Sequence, residues 1–559
     1  MSDGARRVAR RMGPWLWGVL VAAWLCRVFF QLAPGEMPGN HEAYNYVYRL
    51  IEFQDLLRAG YLFPQWASDF RGGLGSPYFG YYQPGFFYVA STLACIVSVP
   101  LALALTLWGF ALVGYGGMLA LVRARFGVAA GTLAATVYLL SAYAYGDLHL
   151  RGDLSEFAGM MLLAPALHCL TAWLDGGSAR YWRATAACGA ALVLAHPVAG
   201  LLGYGAMASV IVCWVASGAD RRRAAGAVGA LVAGVGLAGF YLVPLLLEWR
   251  FVAGDRVATA TADVRLAFVE LGDLFSLGAR AGMWPAFVER IVPLDRVQVA
   301  LAWVAIGTSL WRWRHRTTAQ RRLVGALLVI AAWTTWLMHP TSRVLWDAVP
   351  LLRFVQFPWR ALLVLTTALA AITGCLVEGR QVVALAGIAL CAWSVHGLQP
   401  LPVRRWNHPP TARAMTETFV APDIADEWLP RGALGLRGEQ VPTAPACDGS
   451  VCRIVSFERG TARLETRIMM IGVARVVLPH YYFPVGWTAT FEGKPVVLEP
   501  TSEGLMRVTI DHPLPVAEGR LDVRFHITPA RRLGVMLTLA MVCALVCGAA
   551  WRRRRDVGR

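Results

Sequence analysis

Arginine occurs in alternate gaps between the long apolar runs of this chain, whereas the gaps in between carry acids, aromatic residues and prolines. Positively charged loops stay on the cytoplasmic side of a bilayer, so this alternation predicts both a membrane location and an orientation. All the basic segments share the cytoplasmic side if the chain crosses about twelve times, with both termini inside. Those segments are residues 6–11, 123–125, 180–183, 221–223, 312–322, 380 and 552–555.

The overall composition favours the same class of protein. Hydrophobic residues make up 57% of the chain and charged residues 16%, and the mean hydropathy is +0.49, outside the range of soluble proteins. A net charge of +17 in a soluble protein would suggest a nucleic-acid partner. Here the basic residues stand at the ends of apolar runs, where topology and lipid headgroups explain them. We therefore expect no nucleic-acid partner.

The sequence predicts a polytopic α-helical membrane protein in three parts. Residues 1–398 form a transmembrane domain with a retained first helix and a large first outer loop at 33–100. Residues 399–530, rich in proline and in alternating polar and apolar residues, form a β-rich extracytoplasmic domain. Residues 531–559 are a last transmembrane helix and a basic tail. The twelve predicted spans are 14–32, 101–121, 128–145, 157–174, 185–194, 198–215, 225–246, 299–311, 323–338, 361–377, 382–395 and 533–550.

Two segments outside these spans have a predicted local structure. Residues 86–99 are apolar, but a crossing there would move Arg123 and Arg125 outside, so we expect an interfacial helix. Cys447 and Cys452 bracket a polar tight turn in the extracytoplasmic domain. That spacing in an oxidising compartment predicts a local disulfide.

The first outer loop carries the first group of candidate functional residues. Glu42, Tyr46 and Arg49 share one face if residues 42–57 are helical, and Glu42 is a candidate general base. The alternative is an acid on a solvated helix. Asp69 precedes a glycine-rich turn that lets backbone approach a ligand. The aromatic residues of the loop suit either the membrane interface or sugar stacking, and the candidates are Trp66, Tyr81 and Tyr82.

A second acidic cluster stands at the outer junction of the third and fourth spans. It contains Asp147, His149, Arg151, Asp153 and Glu156. Ionisable groups this close to hydrocarbon indicate a functional site, and ion pairing at helix ends is the competing interpretation.

Metal-binding and nucleotide-binding motifs are absent from the sequence. No HExxH or CxxC spacing, Walker loop or GxSxG elbow is present, so we predict no metal motif and no certain cofactor. A divalent cation held by paired carboxylates is left open. His196 and His339 each precede a proline at an outer helix end, where a cap or polar anchor is expected more often than a ligand.

Short motifs recur along the chain in a recognisable order. They are GYLFPQW at 60–66, GLGSP at 73–77, YYQP at 81–84, Arg151-Gly152 with Glu156, QFPWR at 356–360, YFPVGW at 482–487 and GKP at 493–495. Together they resemble the GT-C class of membrane glycosyltransferases. Within that class the resemblance is to the YfhO-like bacterial proteins, including the membrane family catalogued as 6-pyruvoyl-tetrahydropterin-synthase-related.

The resemblance implies a location in the bacterial inner (cytoplasmic) membrane. It also implies transfer of a sugar from a polyprenyl-phosphate donor to an envelope glycan or lipid acceptor on the extracytoplasmic face. It implies that an acid of the first outer loop activates the acceptor, and that arginines hold the donor phosphate. The family's Asp, His and Arg stand here as Glu42, Tyr46 and Arg49. The candidate catalytic residues are Glu42, Asp69 and Glu156; the candidate phosphate-binding residues are Arg151 and Arg360; the candidate substrate contacts are Tyr46, Arg49, Trp66, Tyr81, Tyr82, His149, Asp153, His196 and Gln356.

Two other functions remain open at this stage. A lipid or polysaccharide transporter would be favoured by charges buried in mid-span and by inverted repeats. A non-catalytic scaffold of an envelope-glycan assembly is favoured by Tyr46 at the position of the family's histidine.

Overall fold

The computed structural model describes residues 3–33, 36–39, 42–254, 267–275, 295–377, 380–396, 403–405, 428–436, 440–449, 451–511 and 516–557. Most of them are helical. The helices are α1 (Asp3–Phe30), α2 (Ala43–Arg58), α3 (Tyr78–Tyr81), α4 (Gly85–Ala94), α5 (Val99–Phe126), α6 (Val128–Leu139), α7 (Ala142–Tyr145), α8 (Leu154–Leu174), α9 (Ala179–Ala195), α10 (Pro197–Ala216), α11 (Arg221–Leu237), α12 (Gly239–Glu248), α13 (Leu271–Leu274), α14 (Arg296–Trp311), α15 (Thr318–Met338), α16 (Arg343–Ala348), α17 (Leu362–Gly374), α18 (Gln381–His396) and α19 (Pro529–Val557).

Seven helical stretches among the described residues are long and apolar enough to cross a membrane, and a bent pair of helices makes a possible eighth. The seven are Met12–Phe30, Val99–Phe126, Val128–Arg151, Leu154–Leu174, Pro197–Ala216, Thr318–Met338 and Pro529–Gly548. The chain is therefore a multi-pass membrane protein.

The predicted count of twelve spans is not confirmed. Helices occupy the remaining predicted spans, but α9, α14, α17 and α18 contain 17, 16, 13 and 16 residues. An upright span needs about 20 residues, so these four helices are shorter than a membrane-crossing helix, unlike the seven stretches named above. The predicted interfacial helix is α4, whose 10 residues are too few to cross.

The bent pair is α11 and α12, which meet at an angle of 70°. A break inside a membrane exposes backbone groups that lipid cannot satisfy. Side chains of α19 supply the partners here. The hydroxyl of Thr538 accepts the N–H of Phe240 at 2.9 Å and lies 3.2 Å from the carbonyl of Leu237. Gly534 allows α12 and α19 to approach closely, because a Cβ there would clash with the carbonyl oxygen of Gly239.

The strands are β1 (Glu36–Pro38), β2 (Val403–Arg405), β3 (Ala446–Cys447), β4 (Cys452–Gly460), β5 (Arg463–Ile471), β6 (Ala474–Tyr481), β7 (Trp487–Phe491), β8 (Lys494–Pro500), β9 (Leu505–Ile510) and β10 (Val516–Phe525). β3 to β10 form one antiparallel sheet in the order β3-β6-β9-β8-β7-β10-β5-β4, and β1 pairs with β2. Alternate residues of β5 are buried, as a strand with one packed face requires. A disulfide joins Cys447 to Cys452, between β3 and β4. We call residues 428–525 the β-domain.

The first outer loop packs directly against the β-domain through a buried histidine. His480 Nε2 accepts the indole N–H of Trp66 at 2.8 Å, and its Nδ1 donates to the carbonyl of Gly73 at 3.0 Å. One acceptor and one donor nitrogen is the pattern of a neutral imidazole. Burial lowers the pKa of His480 to about 3, which keeps it neutral. Loop and domain thus form one side of the molecule, here called the β-domain side.

Candidate active site

Helix α2 begins directly after Glu42 and carries Tyr46 and Arg49. These three predicted residues lie on one face. The carboxylate of Glu42 lies 3.6 Å from Nη1 of Arg49. The Arg49 guanidinium lies over the rings of Tyr46 and Tyr82, at 5.2 and 4.6 Å from their centroids. The backbone N–H of Glu42 donates to the carbonyl of Arg151 at 3.0 Å, which connects α2 to the second predicted cluster.

That second cluster is a network of buried ion pairs. Arg151 pairs with Asp147, with Asp153 at 3.4 Å and with Glu156 at 3.1 Å. Arg360 pairs with Glu156 at 3.0 Å and lies 3.8 Å from Asp153. We call these five residues the ion-pair cluster. Paired and mutually hydrogen-bonded charges are the form in which such groups tolerate burial.

Local backbone structure explains why the cluster forms. The chain from Gly146 to Arg151 widens into a π-helical turn, and Gly152 then adopts a left-handed conformation with φ 74°. This sharp turn places Asp153 at the start of α8, where its side chain accepts the N–H of Glu156 at 3.1 Å. The carboxylates of two adjacent helix ends are thereby brought around one guanidinium.

Arg360 is held from the opposite side by its own loop. Its Nη1 donates to the side chain of Gln356 at 2.8 Å and to the carbonyl of Val355 at 3.3 Å. Gln356 has φ 66°, an uncommon conformation for a residue with a side chain. Strained positions of this kind persist where the surrounding structure fixes them, often at functional sites.

Tyr46 connects α2 to the ion-pair cluster. Its hydroxyl donates to Asp153 at 2.8 Å and lies 3.1 Å from the hydroxyl of Tyr82, which accepts from Arg49 at 2.8 Å. A continuous hydrogen-bond chain therefore runs from Arg49 through Tyr82 and Tyr46 to Asp153. Tyr46 thus has a defined structural role at the junction of α2 and the ion-pair cluster.

Solvent reaches mainly two groups in this region. The side chains of Arg151 and Glu42 are 27% and 24% exposed, whereas those of Arg49, Arg360 and Asp153 are 4%, 10% and 8% exposed. The two more exposed residues are thus joined through their backbones, and the buried carboxylates hold the Arg151 guanidinium in place.

The environment of Glu42 increases its proton affinity. Burial raises the pKa of Glu42, and Arg49 offsets this only in part because the nearby Asp153 acts in the opposite direction. A carboxylate with a raised pKa is a better proton acceptor near neutral pH than an ordinary one.

Three side chains have the identities of a metal site. One ligand atom each from Asp153, Glu156 and His196 lie within 4.8 Å of one another. However, His196 caps α10 by accepting the N–H of Ala199 on Nδ1 at 3.3 Å. A neutral imidazole then carries its proton on Nε2, the atom that faces the two carboxylates at 3.9 and 3.8 Å. A metal needs a free lone pair there, and Glu156 already pairs with Arg360, so these side chains as arranged do not fit a divalent cation.

Chelation gives a direct check of this interpretation. We expect EDTA to leave the activity of washed membranes unchanged, because Arg151 and Arg360 already neutralise the carboxylates that would bind a metal. Sugar transfer, the activity that the sequence resemblance implies, would be measured before and after chelation and again after adding Mg²⁺ or Mn²⁺. A loss that either ion restores would contradict the expectation.

Asp69 does not join the site, although the sequence favoured a shared cavity. Its backbone N–H donates to Glu52 at 3.3 Å, and its carboxylate pairs with Arg459 of β4 at 3.4 Å. Glu52 lies almost three helical turns beyond Glu42 on α2, about 15 Å along the axis. The loop folds back along α2 towards the β-domain, which carries Asp69 away from the ion-pair cluster.

Several other predicted contacts use their polar atoms within the scaffold. Trp66 bonds to His480 as described, and the hydroxyl of Tyr81 donates to the carbonyl of Glu248 at 2.8 Å. His149 lies 2.8 Å from the carbonyl of Leu25 and therefore turns towards α1.

The sequence reasoning missed two residues of the site. Tyr143 donates a hydrogen bond to Glu156, and Trp359 lies under the guanidinium of Arg151, 4.8 Å from ring centroid to Cζ. Tyr143 stands one helical turn before Asp147, and Trp359 belongs to the QFPWR motif. Both signals were present in the sequence, but neither side chain is charged at neutral pH, and the sequence analysis selected mainly charged residues.

The fold and site define a multi-pass membrane protein with a buried ion-pair cluster on its β-domain side. No protein-family model and no curated protein matches the sequence. Similar solved structures include the arabinofuranosyltransferase AftD from Mycobacteria, with 16% identity and a TM-score of 0.45 over 76% of this chain and 28% of that one. Another is the oligosaccharyltransferase of Archaeoglobus fulgidus in the apo form, with 14% identity and a TM-score of 0.45 over 74% of this chain and 60% of that one.

The chain thus spans 28% of the mycobacterial protein and 60% of the archaeal one. TM-scores this low do not establish a common fold. We therefore base the function on the geometry of the site.

Proposed function

We propose that this protein transfers a sugar from a polyprenyl-phosphate-linked donor to an envelope glycan or lipid acceptor on the extracytoplasmic face. One observation carries the proposal. A backbone hydrogen bond of 3.0 Å joins Glu42 to Arg151, the two more exposed members of an otherwise buried charged network, and Arg151 ends an apolar span. A proton acceptor next to a phosphate-binding cation is what this transfer requires.

The two residues have distinct roles in the proposed reaction. An acceptor hydroxyl oxygen attacks the anomeric carbon of the donor sugar, and Glu42 takes the hydroxyl proton. The bond between that carbon and the phosphate oxygen breaks, and the electron pair leaves with the polyprenyl phosphate. Arg151 stabilises the negative charge on the leaving group, as a planar guanidinium does well. Asp147, Asp153 and Glu156 hold Arg151 in position.

The location of the charges favours transfer over the two alternatives. The ion-pair cluster lies where spans end on the β-domain side, and a transporter would instead need ionisable groups along a path in mid-span. A pure scaffold would need no accessible carboxylate with a raised pKa. A lipid-linked donor also reaches such a site from the bilayer, so no nucleotide-binding domain is required.

Analysis of lipid-linked sugars in a deletion strain tests the proposed function. We expect a polyprenyl-phosphate monosaccharide to accumulate and one envelope-glycan decoration to disappear. Complementation with the native gene should reverse both changes. Normal lipid-linked pools together with an intact glycan in the deletion strain would refute the proposal.

The pH dependence of transfer follows from the environment of Glu42. The base acts in its ionised form, so activity should fall as the pH drops through the raised Glu42 pKa, above the usual range of a glutamate. Arg49→Gln removes an attraction that lowers this pKa, and we expect the acid limb of the pH–rate profile to move to higher pH. An acid limb that stays in place in Arg49→Gln would exclude Glu42 as the titrating group.

A further inference from the structure

Arg531 is a buried cation that the proposed reaction does not use. It lies in the first turn of α19, is 1% exposed and donates from Nη1 to the carbonyl of Phe240 at 2.8 Å. Its Nε and Nη2 are also buried, and within the described ranges neither has a hydrogen-bond partner. A buried guanidinium with unsatisfied donors is costly unless an anion joins it.

The surroundings of Arg531 leave this charge without a direct partner. Glu248 lies within electrostatic range but forms no ion pair with it in the part of the chain that the structure describes. The hydroxyls of Tyr81, Tyr88 and Tyr241 donate to backbone carbonyls at 2.8, 2.7 and 2.8 Å. These groups line the guanidinium without neutralising it.

The unsatisfied atoms have the geometry of an anion site. Nε and Nη2 lie on the same edge of the planar guanidinium, and that edge can donate two parallel hydrogen bonds to a phosphoryl group. The N-terminus of α19 adds the positive end of a helix dipole, because Arg531 stands in its first turn and donates its backbone N–H to Thr528 at 3.2 Å.

The bilayer lies close to this position. α12 exposes Leu246 and Leu247, which are 71% and 54% exposed, and α19 exposes Met536, which is 60% exposed. Apolar side chains exposed on membrane helices face lipid. An anion that reaches Arg531 through these two helices therefore comes from a lipid.

We propose that the Nε–Nη2 edge of Arg531 binds the phosphoryl group of a lipid that approaches α12 and α19 from the bilayer. Two lipids share this chemistry, the polyprenyl phosphate of the proposed function and a membrane phospholipid. Only the choice of the first as a probe rests on the proposed function. The site itself is separate from the ion-pair cluster, because none of the groups around Arg531 belongs to that cluster.

Lipid binding to the purified full-length protein in detergent tests the proposal. Polyprenyl phosphate, the polyprenol of the same length and phosphatidylglycerol would be compared by native mass spectrometry and by the shift in Tm. We expect a phosphate-bearing lipid to bind and the polyprenol not to bind. Arg531→Gln should reduce the number of phosphate-bearing lipids bound per protein by one, and Arg531→Lys, which keeps the charge but not the two-donor edge, should weaken binding at this site by about tenfold or more.

Thr538→Val is the matched control, because it removes another α19 contact to the same helix break and keeps Arg531. It should lower the Tm but bind lipid as the native protein does.

Binding of phosphatidylglycerol alone would assign the site to a phospholipid headgroup, and binding of polyprenyl phosphate alone would assign it to the carrier. Equal binding by Arg531→Gln and native protein, or by polyprenol and polyprenyl phosphate, would overturn the proposal. Glu42→Gln keeps Arg531 and should bind lipid at this site as the native protein does. Loss of transfer in Glu42→Gln therefore tests the proposed function, and loss of lipid binding in Arg531→Gln tests the lipid site.

Discussion

Glu42→Gln is expected to lower sugar transfer by about 100-fold or more, the usual effect of losing a general base. The amide keeps the size of the side chain and can still accept a hydrogen bond from Arg49, but it cannot take the acceptor's proton. The amount of protein in the membrane should not change. Transfer would be measured in membranes that contain equal amounts of native and variant protein.

Asp69→Asn is the matched control for this experiment. It also replaces a partly buried carboxylate of the same loop by its amide, but at the contact with Arg459 and away from the ion-pair cluster. We expect its transfer activity to remain within a few-fold of the native rate. If Asp69→Asn abolishes transfer while Glu42→Gln is fully active, the two roles have been assigned the wrong way round.

Arg151→Ala should have the largest effect on stability. It leaves Asp147 without an ion pair among the described residues and leaves Asp153 and Glu156 to Arg360 alone, and breaking a buried ion pair in this way typically costs about 3–5 kcal/mol. We expect a large loss of folded protein in detergent, followed by its unfolding transition, and no measurable transfer. Arg151→Lys should recover part of the stability, because an ammonium preserves the charge but not the forked contacts.

A double variant separates the structural role of Arg151 from its role at the donor. Asp147→Asn in the Arg151→Ala background removes one uncompensated carboxylate, so part of the lost stability should return. Transfer should stay absent, since the cation for the leaving group is still missing. A double variant that regains both stability and transfer would show that Arg151 acts only as a structural group.

The sequence allowed prediction of those parts of the site that depend on local spacing. Glu42, Tyr46 and Arg49 share a helix face because helical periodicity brings every third or fourth residue together. Asp147 and Arg151 meet for the same reason. Arg360 belongs to a motif more than 200 residues after Glu156 in the sequence, and only the fold brings its guanidinium to 3.0 Å from the Glu156 carboxylate.

Other features depend on the path of the chain in three dimensions and have no local signature. Asp69 could not be separated from Glu42 by spacing, because the return of the loop along α2 decides its neighbours. The predicted number of spans is not confirmed, because apolar runs of about 15 residues occur both in buried helices and in transmembrane helices. The alternating residues of β5 were predicted as strand, since a period of two is legible in the sequence alone.

The break between α11 and α12 has a consequence for biosynthesis. The side chains that satisfy its backbone groups come from α19, and Phe240 and Arg531 are separated by 291 residues in the sequence. During translation the bent span is made long before its partners leave the ribosome, and its free carbonyl and N–H groups are unsatisfied in lipid until then. The middle of the membrane domain is therefore among the last parts to mature, and a chain that stops before α19 would present an incomplete span to the quality-control proteases of the membrane.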